Sequence, residues 1–151
     1  MIRQTTLPSG IRLIYEKIEH VRSVSLGVWV DTGSVRETKE TSGASHLIEH
    51  MVFKGTERRS AEQIAIEMDA VGGNMNAFTS KECTCFYAKV LDEHMALAAD
   101  ILSDIVFHSV FDPAELKKEQ GVVVEEILMN EDNPEDVSAE ASNMAFFGSE
   151  P

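Results

Sequence analysis

Basic residues are scarce in this chain. Lysine and arginine number 13 against 26 aspartates and glutamates, a formal net charge of −13. That balance argues against a nucleic-acid-binding role and favours cationic partners. Long apolar runs are missing too, so no segment is suited to crossing a membrane. The opening MIRQTTLPSGIRLIYEK lacks the apolar stretch of a secretion signal, which makes the cytoplasm the expected compartment. Cysteine is nearly absent. Cys83 and Cys85 sit in KECTCFYAKV, where a strand would point both side chains to one face, a poor geometry for a mutual disulfide. They read as reduced, packed thiols. No repeat, low-complexity segment or linker interrupts the chain, and 151 residues at 43% hydrophobic content suit one domain with one sizeable core.

What is present is an alternation of strand and helix signals. RQTTLPSGIRLIYEK reads as strand, turn, strand, with Pro8-Ser9-Gly10 in the turn and Ile11, Leu13 and Tyr15 alternating. In SVSLGVWVDTG, Val24, Leu26, Val28 and Val30 fall on one face. Gly33 to Thr41 reads as a loop, and a helix is expected from about Ser42 to Lys54, stopped by Gly55. Ser60 and Gln63 form a capping-box pattern at the head of a second helix that Gly72 can end. NMNAFTS and CTCFYAKVL read as strands, and DEHMALAADILSDIVF as an amphipathic helix. Asp112 and Pro113 open another helix, DPAELKKEQGVVVEEILMN, with Glu115 three residues after the cap, and a last helix starts near Glu135. The closing FFGSEP carries no stop signal. The order and the short hairpin links predict an α+β fold, an antiparallel sheet layered with helices.

The chemistry concentrates in ASHLIEHMVFKG, residues 44–55. His46 and His50 are one helical turn apart, and Glu49 shares their face. Two imidazoles so placed can converge on one Zn²⁺ at about 2.0–2.1 Å each. Glu49 need not be a ligand. It can accept a proton from a water that the zinc has acidified to a pKa of about 7. On the pentapeptide alone, an exposed His/Glu face without metal fits equally well.

A catalytic zinc usually takes three protein ligands. On a helical wheel of the Asp112 helix, Leu116, Val123 and Ile127 define an inward stripe; Glu119 and Glu126 lie along its edge, and Glu125 faces away. A carboxylate at a core edge is costly unless it is paired or bound to metal. Glu126 is therefore the preferred third ligand, and Glu119 a supporting carboxylate. Snorkelling to water, or pairing with Lys117 or Lys118, is the alternative for both.

These residues resemble the inverted-zincin peptidases of the pitrilysin, insulinase and mitochondrial processing peptidase group, and look most like its bacterial members. The likeness is carried by HLIEH followed by MVFKGT, by GGNMNAFTSKE, and by LKKEQGVVVEEI with EDNP. That family pairs HxxEH with a glutamate about 76 positions on. Glu126 stands 76 positions after His50 and seven after Glu119. The resemblance implies a processing-peptidase-like fold, with His46, His50 and Glu126 binding one Zn²⁺, Glu49 activating water and Glu119 orienting the site. It implies that Asn76-Ala77-Phe78 is an edge strand holding an extended peptide by added-strand hydrogen bonds. It implies a zinc endopeptidase acting on peptides or unfolded protein precursors. Residues 1–151 would be its N-terminal zinc-binding catalytic domain, incomplete at the C-terminal end. The expected partners are the substrate, the missing C-terminal half of the same protein, and a second copy in a homodimer. His20, His94 and His108 match no family role and read as surface or packing residues.

Two other readings compete. S-ribosylhomocysteine lyase also uses an HxxEH helix, with a cysteine as third ligand, and Cys83 or Cys85 would have to serve. A non-catalytic partner subunit of a peptidase is the other, although such subunits tend to have lost the metal motif that His46, Glu49, His50 and Glu126 complete here.

Overall fold

The alternation of Val24, Leu26, Val28 and Val30 is what organises the sheet. In the computed structural model, which describes residues 1–148, strand β3 (Ser23–Val30) turns these four side chains inward and leaves Ser23, Ser25, Gly27 and Trp29 exposed. Ser149, Glu150 and Pro151, the end of the FFGSEP stretch, lie outside the described residues. β3 pairs antiparallel with β5 (Thr84–Leu91), and β5 pairs antiparallel with β4 (Asn74–Thr79), in the order β3-β5-β4. The register sets Leu26, Ala88 and Met75 in one row and Val28, Phe86 and Ala77 in the next. On that face lie Ile64 and Met68 of helix α2 (Ala61–Asp69) and Ala98, Ile101, Leu102 and Ile105 of helix α3 (Met95–Phe107). Phe86, Ala88 and Val90 of the central strand complete this core. An α+β fold with antiparallel sheets follows, as expected.

The hairpin β1 (Ile2–Thr6) and β2 (Arg12–Glu16) forms a separate two-stranded sheet, closed by a Leu7 to Ile11 turn with Gly10 at φ 89°. Every residue of both strands is exposed, so the alternation of Leu13 and Tyr15 marks a strand without marking a core face.

Helix α2 opens with the capping box read from Ser60 and Gln63: Gln63 N–H donates to Ser60 Oγ at 3.2 Å, and Ser60 N–H to Gln63 Oε1 at 2.8 Å. Helix α4 (Pro113–Glu131) is capped by Asp112, which accepts from the amides of Ala114 and Glu115. Its Glu115 pairs with Lys118 rather than turning back to the cap, so no capping box closes there. Helix α5 (Pro134–Phe147) follows from an Asn133 cap.

One polar hub joins a helix residue to a loop through contacts that no local pattern marks. Asp104 of α3 is 1% exposed, and its carboxylate accepts from Thr56 Oγ1 at 2.8 Å, Arg58 Nε at 3.0 Å and Arg59 Nη1 at 2.8 Å. Thr56 Oγ1 in turn accepts from the Arg58 and Arg59 amides. Burial alone would push the Asp104 carboxyl up, but the bonds from Arg59, Thr56 and Arg58 outweigh it and hold it below the usual range. The hub ties the segment after the HxxEH helix to α3.

Candidate metal centre

The HxxEH segment folds as helix α1 (Ala44–Met51), shorter than expected, with Val52–Lys54 tightening into a 3₁₀ turn before Gly55 at φ 130°. The residue ahead of α1, Gly43, sits at φ 85°, a left-handed position that suits glycine. It offers no side-chain cap. A residue from the preceding loop supplies one instead. Glu37 Oε2 accepts from the Gly43 amide and Oε1 from the Ser45 amide, both at 2.7 Å. Burial would raise the Glu37 carboxyl, yet the bonds from Ser45 and Gly43, with His46 nearby, leave it below the usual range. A carboxylate at a helix N-terminus also meets the favourable end of the helix dipole. Sequence reading placed residues 33–41 in a loop and missed this cap, because Glu37 lies six residues before Gly43 and outside any local capping pattern.

Helix α1 packs against β4 and α4. Thr79 Oγ1, at the end of β4, donates to the Ser45 carbonyl at 3.5 Å, so the edge strand ends beside the HxxEH helix. From the other side α4 brings Glu119 and Glu126. His46 Nε2 and His50 Nε2 are 3.2 Å apart, and Glu126 Oε2 lies 3.6 Å from the first and 3.5 Å from the second. Ligands held tetrahedrally at about 2.0–2.1 Å from one zinc lie about 3.3–3.4 Å from each other. The triangle therefore has the size that a single zinc requires.

The protonation pattern agrees. His50 Nδ1 is 2.9 Å from Glu119 Oε1, and an ionised carboxylate can only accept, so Nδ1–H donates and the ring turns its Nε2 edge toward His46 and Glu126. Two imidazole nitrogens and a carboxylate oxygen converge, a donor set that could hold a divalent cation. Glu119, 5% exposed, is the one buried residue of α4. Its second oxygen accepts from Lys54 Nζ at 2.6 Å. Burial would raise its carboxyl, but Lys54 and His50 together hold it below the usual range. Glu49, next in chain to His50, has a buried Oε2 with no hydrogen-bond partner among the described residues. An orphaned carboxylate oxygen is costly unless something arrives to use it. A groove lined by His46, Glu126, Ile127, Met129 and Asn130 borders the triangle.

The wheel of α4 needs one correction. Ile127, read as part of the inward stripe, is 51% exposed. The inward residues are Leu116, Glu119, Val123 and Glu126, so the buried side is rotated toward the glutamates. Lys118 pairs with Glu115, and the lysine that meets Glu119 is Lys54, from a different element. Asn76, Ala77 and Phe78 lie in β4, at one edge of the three-stranded sheet. Asn76 Oδ1 accepts from the Ala77 amide at 2.8 Å, so that amide is already occupied. The cysteines do not join the site. Strand β5 begins at Thr84, so Cys83 precedes it, with its sulfur 3.3 Å from Ser80 Oγ, and only Cys85 lies in the strand. Both are free thiols. His20 and His108 are exposed and His94 is half-buried beside Glu93; none of them belongs to the His46, His50, Glu126 group.

Comparison with known proteins identifies the family. The profile of the family described as Insulinase (Peptidase family M16) matches residues 12–151. A zinc protease of Bacillus subtilis, YmxG, is 53% identical over 148 residues, covering 98% of this chain and 36% of its own length. An Arabidopsis thaliana protein named "Probable mitochondrial-processing peptidase subunit beta, mitochondrial" is 41% identical over 135 residues, 89% of this chain and 25% of that protein. The crystal structure of a Helicobacter pylori protease superposes with a TM-score of 0.80 at 24% identity, over 83% of this chain and 30% of that one, which supports the fold. The chain thus spans between a quarter and just over a third of the curated relatives named here. With the profile running over nearly its whole length, the chain belongs to the insulinase family of peptidases.

Proposed function

We propose that residues 1–151 form the zinc-binding catalytic unit of a longer endopeptidase that hydrolyses peptides or unfolded protein precursors. The observation that carries this reading is the triangle of His46, His50 and Glu126, with a Glu49 oxygen that has no partner among the described residues one position before His50 on α1. Zinc held there would supply Lewis-acid polarisation of the scissile carbonyl and an acidified water. The rest is done by this chain. Glu49 takes the proton from the attacking water on its free oxygen and delivers it to the departing amine. Glu119 holds His50 by Nδ1–H, which fixes the tautomer and aims Nε2 at the site. The outer edge of β4 offers backbone groups to an extended peptide, and Thr79 keeps that edge beside α1. A peptide binding there has to replace the bond from Asn76 to the Ala77 amide. The absence of cysteine from the donor set disfavours the lyase alternative.

Metal removal tests the reading. Dialysis of the full-length protein against a strong chelator should abolish cleavage of an unstructured peptide, and one equivalent of zinc should restore it. Cleavage that persists in metal-free protein would overturn the proposal.

A further inference from the structure

We propose that Lys54 is a positioning residue of the metal centre: its ammonium locks Glu119 in the orientation that holds the His50 ring. The inference rests on the zinc-site reading above. Glu119 has two carboxylate oxygens, and each has a different duty. Oε1 accepts from His50 Nδ1 at 2.9 Å and Oε2 from Lys54 Nζ at 2.6 Å. The carboxylate side chain is only 7% exposed. A buried anion needs a compensating charge as well as a hydrogen bond. His50 meets Oε1 through a ring nitrogen, and among the described residues Lys54 is the lysine or arginine in ion-pair contact with Glu119 or Glu126.

The backbone explains why this lysine arrives there. Lys54 ends the 3₁₀ turn that extends α1, four residues after His50. The next two residues are pinned: Gly55 bridges to Ser60, Thr56 bridges to Ser109, and the Thr56 hydroxyl is held by Asp104. Lys54 is thereby aimed from α1 across to α4, and its pair with Glu119 is one of the contacts joining the two halves of the ligand set. Without it, the carboxylate loses its lysine partner, and the cheapest relaxation is rotation toward water. His50 Nδ1–H then loses its acceptor, and the ring is free to turn or change tautomer.

The test is zinc affinity in the full-length protein, measured by competition with a chromogenic chelator. Lys54→Met should weaken zinc binding about tenfold, the low end for loss of a group that orients a metal ligand. Glu119→Gln should weaken it at least as much. The decisive comparison is the double variant: Lys54→Met in the Glu119→Gln background should cost nothing more, because both act through one carboxylate. Lys54→Arg, which keeps the charge, should recover most of the affinity. Nitrogen NMR of the metal-free protein should show His50 protonated at Nδ1 in the wild type and a tautomer mixture in Lys54→Met. If Lys54→Met does not fold, Lys54→Gln carries the same comparisons. Unchanged affinity in Lys54→Met, or an equal loss with and without Glu119, would overturn the inference while leaving the zinc site standing. A wild-type protein that binds no zinc through His46 would overturn both.

Discussion

Glu49→Gln leaves zinc bound and lowers peptide hydrolysis about a thousandfold, within the 10²–10⁴ range of general-base catalysis. That factor corresponds to about 4 kcal/mol of barrier. The substitution changes one oxygen to an amide nitrogen and preserves shape, so the helix and its packing should be untouched. The proposed metal ligands His46, His50 and Glu126 are not altered. What is lost is the ability to accept a proton on the oxygen that has no partner among the described residues. The measurement is turnover of an unstructured peptide beside metal analysis of the same preparation. Full turnover in a zinc-loaded Glu49→Gln protein would remove Glu49 from the mechanism.

Asp104→Asn is expected to carry the largest stability cost, about 3 kcal/mol near neutral pH, because both arginines lose their buried carboxylate, although Asp100 still pairs with each and Glu67 with Arg59. The side chain is fully buried, and Arg59 beside it is only 12% exposed. Arg58 can turn to water at 55% exposure, which keeps the cost at the lower end for a broken buried pair. The pH dependence has a definite sign. Asp104 is held below its unfolded pKa of about 3.9, so its contribution is complete above that value and is lost as pH falls through the folded pKa. Denaturation midpoints of wild type and variant should therefore differ at pH 7 and converge in acid. A gap that stays constant down to the acid limit would mean that the hub stabilises by shape and not by charge.

The parts of the fold that were legible in advance are the ones governed by local periodicity. The face of β3 follows from a period of two, and the shared face of His46, Glu49 and His50 follows from one helical turn. Glu126 was reachable because the wheel of α4 pointed it inward and the spacing of the family's glutamate coincided with it. The same wheel misplaced Ile127, for a physical reason. A wheel assumes that apolar residues face the protein, whereas α4 turns Glu119 into the interior because α1 presents His50 and its extension presents Lys54 to receive it. Lys54, Glu37 and Asp104 were not legible as partners. Their contacts span 65, six and eight, and 48 positions to Glu119, to Gly43 and Ser45, and to Thr56 respectively, and depend on how helices and loops meet. The exposed hairpin shows the converse: strand periodicity was read correctly, but periodicity carries no information about what packs on the strand.

The most direct measurement is zinc stoichiometry in the full-length protein by elemental analysis. The account predicts one zinc per chain in the wild type, and near-complete loss in His46→Ala, His50→Ala and Glu126→Gln. A double variant with Cys83→Ala and Cys85→Ala should keep its zinc. Zinc that is retained without Glu126 and lost without the cysteines would contradict the site described.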